Sequence, residues 1–144
     1  MAFTGNYTCN SFKQQVLQGI FDFSSTTTQV FRIALYTNNA TLDETTTAYS
    51  VSTTGQVVAT GYTAGGAVIT PTLSLDTANG ISYLNFSNAS WTAAITARGA
   101  LIYKVGGGNP AICVLDFGSD KTSTTTFQVE FPPNTSTTAL IRLA

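Results

Sequence analysis

The chain of 144 residues contains no histidine. That removes the commonest general base and the commonest metal ligand together. It also makes a Ser-His-Asp or Cys-His arrangement impossible. Two cysteines, Cys9 and Cys113, cannot build a zinc site of the usual kind without histidine to complete it. They read as two small buried thiols. A bridge between them is the less favoured alternative for a chain made in a reducing compartment. Charge is scarce as well: 9% of residues are charged, against roughly 25% in an average soluble domain. The six cations, Lys13, Arg32, Arg98, Lys104, Lys121 and Arg142, stand singly, and the net charge is −1. A nucleic-acid binder needs a basic face, so that class is set aside. No apolar run is long enough to span a bilayer, so no membrane partner is expected. The opening MAFTGNYTCN has neither the basic nor the apolar region of a signal peptide, which predicts synthesis in a cytoplasm.

What is present is apolar and β-prone. Hydrophobic residues make up 43% of the chain, enough for one domain with a proper core. Thr, Ser, Asn and Gln supply most of the polar surface. Such a surface costs little to bury against a partner, because few ions need desolvating. The segment TARGALIYKVGGGNPAICVLDFGSD, residues 96–120, is the organising stretch. Two apolar runs, Ala100–Val105 and Ala111–Phe117, flank a Gly-Gly-Gly-Asn-Pro turn and predict a central hairpin. Both faces of that hairpin are apolar. Each must be covered, either from within the chain or by a neighbouring copy.

The remaining elements follow from local pattern. Residues 1–10 read as an extended arm, and residues 11–144 as one β-domain. Ser11 with Gln14 has the spacing of a capping box, and Gly19 is a plausible stop, so a short helix is expected between them. Phe12, Val16 and Ile20, with Leu17 beside them, form its apolar stripe. A helix of two turns must dock on something to persist in water. Docking on the β-domain is preferred. An assembly contact is the sharper alternative, with Phe3, Tyr7, Phe12, Val16 and Ile20 as candidate contact residues. Strands are expected at Val30–Thr37, Val57–Thr60, Ala67–Thr70, Thr72–Asp76, Ile81–Phe86, Phe127–Phe131 and Leu140–Leu143, besides the hairpin. Pro71 assigns its segment to a sheet edge or a strand end. Asn38–Gln56 reads as a long surface loop with only Leu42, Tyr49 and Val51 to anchor it. Trp91 reads as a core cap at a strand end. The result is a mainly β chain: an antiparallel β-sandwich of about eight strands, jelly-roll or immunoglobulin-like, with one short N-terminal helix.

Little in this pattern is reactive. Paired carboxylates for glycoside hydrolysis are conceivable at Asp116, Asp120 and Glu130. The plainer reading places them on solvated strand faces and in a turn. Asp116–Asp120 with Ser119 offers only a fragment of a calcium loop. Arg98 is placed to pair with Asp116 across the hairpin as a structural bridge. No catalytic residue, cofactor or metal is expected.

Several segments taken together resemble one group of small proteins from tailed bacteriophages. They are MAFTGNYTCNSFKQQVLQGIFDF, FRIALYTNNATLDETTTAY, ATGYTAGG, WTAAITARGALIY and AICVLDFGSDKT, so the resemblance runs nearly end to end. It implies a non-enzymatic structural protein of the virion, and it brings no catalytic motif. A compact, weakly charged domain suits capsid decoration, where it would bind the major capsid protein and stabilise the shell. A homo-oligomer, dimer or trimer, would seal one face of the hairpin between copies. A tail, fibre or head–tail adaptor component is the first alternative. A carbohydrate-binding module using Trp91, Tyr49 and Tyr62 is the second, and it requires those rings to be exposed in a row.

Overall fold

A computed structural model describes residues 3–144; Met1 and Ala2, the first two positions of the expected arm, lie outside the described residues. In chain order the elements are β1 (Tyr7–Thr8), α1 (Asn10–Leu17), β2 (Phe31–Tyr36), a 3-10 turn (Tyr49–Val51), β3 (Ala67–Ile69), β4 (Pro71–Asp76), β5 (Ile81–Phe86), β6 (Ala89–Trp91), β7 (Thr96–Lys104), β8 (Ala111–Thr122), β9 (Phe127–Val129) and β10 (Ile141–Leu143). They form three antiparallel sheets: a five-stranded one in the order β1-β8-β7-β2-β3, a three-stranded one in the order β10-β5-β4, and the ribbon β6-β9. The mainly β, antiparallel architecture with one short helix is as the sequence predicts.

The expected hairpin is β7 with β8, and β7 is the middle strand of the large sheet. Its tip needs unusual backbone. Gly106, Gly107 and Gly108 all have positive φ, and Asn109 joins them at 54°. Glycine reaches that region without steric cost, and asparagine tolerates it better than most residues. The Asn109 side chain then accepts a bond from the Gly106 amide at 2.7 Å and closes the turn.

Register assigns the two faces of the large sheet, since directly opposed residues point the same way. Phe31, Ile33 and Leu35 of β2 share one face with Ala100 and Ile102 of β7 and Cys113 of β8. Phe86 of the three-stranded sheet and Phe23, which precedes β2, cover the Phe31 end of this face. Phe86 of β5 lies 6.0 Å from Phe31, and Phe23 lies 5.0 Å from Phe31, between ring centroids. Ala34, Tyr36, Leu101, Tyr103 and Val114 form the opposite face. Here the structure departs from the sequence reading. The segment 38–56 is not a loop standing off the surface. It folds back as the second cover. Ala40 and Leu42 are buried. Tyr49 stacks flat on Tyr103 at 4.4 Å. Tyr36 donates its hydroxyl hydrogen to the Ser52 carbonyl at 2.7 Å. Backbone bonds from Ala111 to Thr47 and from Tyr49 to Asn109 fasten the segment to the hairpin. Val51, expected as an anchor, is 73% exposed. Both faces of the hairpin are therefore covered from within one chain, and a second copy is not required to seal either.

Other details are corrected. Val57–Thr60 is not a strand: Gln56 makes one isolated bridge to Tyr36, and a single bond from the Val57 amide to Leu35 follows. Tyr7–Thr8, part of the expected extended arm, and Ala89–Trp91, which the expected strands left out, are short strands. Pro71 does mark an edge: it opens β4, the outer strand of the small sheet. Helix α1 begins one residue earlier than expected. Cys9 is its N-cap, no side-chain cap bond forms, and the Ser11 hydroxyl, one residue inside the helix, is buried without a partner. The stop is as expected. Gly19, at φ +76°, donates to the Val16 carbonyl, and Ile20 donates to that of Gln15. That is the paired bonding of a Schellman C-terminus.

Candidate functional site

Asp116, Asp120 and Glu130 are the reactive candidates of the sequence. Asp116 and Arg98 meet as expected, Arg98 Nε donating to Asp116 Oδ1 at 3.0 Å. The pair sits at an irregularity in the hairpin. Ala97 opposes Lys121 and Gly99 opposes Asp116, so Arg98 alone faces residues 117–120 of β8. The Gly118 amide also donates to Asp116 Oδ1, at 2.8 Å. Burial pushes the Asp116 pKa upward, but the Gly118 amide and the Arg98 guanidinium outweigh it and hold the group below its ordinary value. Those bonds tie the carboxylate to the bulge. Asp120 lies in the bulge and Glu130 beyond β9, and both are exposed. No group of three or more His, Cys, Asp or Glu side chains gathers in metal-binding geometry among the described residues.

The thiols are buried, as expected, and unbridged. Burial raises the Cys9 pKa to about 12, and it raises Cys113 further still. Both stay protonated and behave as small apolar groups. The aromatic row needed by a sugar-binding surface does not form. Trp91 and Tyr62 are buried and pack on each other at 5.8 Å between ring centroids, and Phe127 lies 6.3 Å from the indole. Trp91 is a core residue, and Tyr49 is taken up by its stack on Tyr103.

The candidate assembly residues divide. Phe3 is fully buried over Gly99, in the core rather than on an outward-facing arm. Phe12 is buried too, 4.9 Å from Phe21 and 6.1 Å from Phe23. Those two side chains are spent on the chain's own core, because α1 docks against the sheet and β1 adds to the edge of β8. Tyr7 is half-buried on that edge, its hydroxyl bonded to Thr4 at 2.7 Å. Val16 is half-buried, and Ile20, beyond the helix end, is 38% exposed.

The residue that the stripe underrated is Leu17, 90% exposed on the open side of α1. It stands on one wall of a groove of about 630 Å³. Phe12, Val16 and Phe23 continue that wall, and the three-stranded sheet supplies the other. The register shows why the groove is apolar. Leu73, Leu84 and Ile141 form one row across β4, β5 and β10, and Leu75, Ser82 and Leu143 form the next. The row nearer Phe86 is partly covered, with Leu84 buried. The cover ends at the β4 end of that row and across the next: Leu73 is 51%, Leu75 63% and Leu143 60% exposed. Leu73, Leu84, Ile141 and Leu143 line the groove. Lys13 and Arg142 are the charged side chains of the lining, and both are exposed. Neither makes an ion pair among the described residues. The groove is a contiguous apolar surface of a kind that monomeric domains seldom leave open. Sequence reasoning found only its helical wall; strand pairing created the rest.

Compared with known protein families, with curated proteins and with solved structures, the chain matches none.

Proposed function

We propose that this chain is a non-enzymatic structural component of a bacteriophage virion, acting on the capsid surface as a decoration protein that binds and stabilises the head shell. The observation that carries the reading is the groove between α1 and the three-stranded sheet. It gathers exposed leucines from the helix and the sheet in one place, whereas other exposed apolar side chains such as Val51, Val58 and Val68 lie outside it, and it contains no reactive constellation. Burying those leucines against a neighbour is favourable at about 25 cal/mol per Å² of apolar area. Linkage then transmits that binding energy to the stability of the particle. The low charge of the chain fits the same role, since few ions have to be desolvated at the contact. The sequence resemblance to small phage virion proteins supplies the kind of particle.

The test is immunogold labelling of intact purified particles of the encoding phage. Gold distributed over the head is the expected result. Gold confined to the tail or a single vertex would transfer the chain to the fibre or adaptor class. Absence of the protein from disrupted particles by mass spectrometry would end the virion reading.

A further inference from the structure

We propose that Asn79 is a site of non-enzymatic deamidation, and that Asp76 beside it holds the reaction in check. Asparagine is among the thermolabile side chains. It loses its amide when the next backbone nitrogen closes on the side-chain carbonyl carbon. A side chain on that next residue crowds the ring, and glycine has none. Asn79 is the asparagine of this chain that glycine follows. The two residues end the turn between β4 and β5, and both are exposed. The Gly80 amide donates to no acceptor among the described residues, so its nitrogen is uncommitted. No atom beyond its chain neighbours lies within 4 Å of the place where a Gly80 side chain would stand, which leaves room for the ring.

The reaction needs water alone. The Gly80 nitrogen bonds to Asn79 Cγ, the Cγ–Nδ2 bond breaks, and the Gly80 amide proton leaves with that nitrogen as ammonia. Water then opens the cyclic imide. Attack on the side-chain carbonyl gives an aspartate at position 79, and attack on the main-chain carbonyl gives an isoaspartate. The restraint is a hydrogen bond. Asn79 Nδ2 donates to Asp76 Oδ2 at 2.9 Å, and ring closure has to break that bond. Asp76 Oδ1 meanwhile accepts from the amides of Ala78 and Asn79, at 3.1 and 3.2 Å, and caps the turn. Ser136 Oγ donates to the same carboxylate at 2.6 Å, which ties the turn to the segment before β10. After deamidation the donor at position 79 is replaced by a carboxylate, and two like charges face each other across the joint. The turn and its tie to Ser136 should then loosen. Neither step depends on what the chain binds.

The experiment is peptide-resolved mass spectrometry of the full-length protein and of its Asp76→Ala variant, incubated side by side at mildly alkaline pH. Circular dichroism would first establish that the variant keeps its fold. Asp76→Ser is the second variant: its hydroxyl still caps the turn, but it offers one oxygen where the carboxylate has two. The expected result is amide loss at Asn79 before any other asparagine. It should run about threefold or more faster in the variants, as the loss of one restraining hydrogen bond allows. The more acidic product, separated by ion exchange, should melt at a lower temperature than the parent, and so should Asn79→Asp. Earlier loss at another asparagine, an intact amide at position 79 in every protein, or equal rates with and without the Asp76 carboxylate would overturn the proposal. An acidic product that melts with the parent would overturn the loosening of the turn.

Discussion

At the residue scale, the fold depends on a few close approaches rather than on ion pairs. Gly99 is one. A Cβ there would fall 2.5 Å from Phe3 Cε1 and against the Leu115 backbone. Gly99→Ala should therefore lower stability by about 1–3 kcal/mol, the usual cost of overpacking, read as a shift in urea midpoint at constant slope. Tyr103 is another. Its buried hydroxyl donates to the Gly65 carbonyl at 2.7 Å. Tyr103→Phe leaves that carbonyl unpaired and should cost about 1–3 kcal/mol. Three aspartates set the acid limit. The backbone amide and side chain of Ser24 lower the Asp22 pKa. Asn79 and then Ser136 lower that of Asp76, and Asp116 is net lowered against its burial. A depressed folded-state value means that the unfolded chain takes up protons first. Stability should thus be level from pH ~4, the ordinary carboxylate value, up to about pH 8, where unfolded thiols begin to ionise, and it should fall as pH drops below ~4. Asp116→Asn should flatten that fall, and thermal melts across the acid range would show it. The Arg98–Asp116 pair was legible because both residues lie near the open end of an evident hairpin. The Phe3–Gly99 contact was not, since nothing local links positions so far apart.

At the scale of elements, the arm and helix are where sequence and structure differ most. An apolar stripe shows that a helix must dock but does not say where. The structure spends Phe12 on a cluster with Phe21 and Phe23, and it leaves Leu17 outside. The Ser11–Gln14 spacing suggested a capping box, yet the helix starts at Asn10 with Cys9 as N-cap. Chain entry is fixed there by the strand pairing of Thr8 with Cys113 and by the bond from the Cys9 amide to Ile112, which no helix signal encodes. Segment 38–56 was opaque for a similar reason. Its fastenings are backbone bonds to Asn109 and Ala111, more than fifty positions away, and composition is silent about those. A consequence follows for truncation. Removing the first ten residues deletes β1 and the buried Phe3, so the shortened chain should lose several kcal/mol, about the cost of emptying one large aromatic site. A truncated chain that melts with the full one would show that the arm is detachable after all.

At the scale of the whole molecule, the fold class was readable and the interaction surface was not. Alternating apolar runs separated by turn residues dictate an antiparallel β architecture from local pattern alone. The groove arises only when β4, β5 and β10 pair and bring Leu73, Leu84, Ile141 and Leu143 opposite the helix. Positions 73 and 143 are far apart in sequence, so no window could join them. The scarcity of charge has a global consequence as well. One ion pair is present among the described residues, and screening has little to act on. Thermal stability should change little between low and moderate salt, apart from salting-out effects at high concentration.

The most direct measurement joins the groove to the proposed particle: co-sedimentation of the purified chain with the phage particles it is proposed to decorate, prepared without it. Wild type should pellet with the particles in a saturable manner, while the folded Leu17→Glu/Leu143→Glu variant should remain in the supernatant. Equal pelleting of the two would show that the groove is not the assembly surface. Failure of the wild type to pellet at all would contradict the virion role itself.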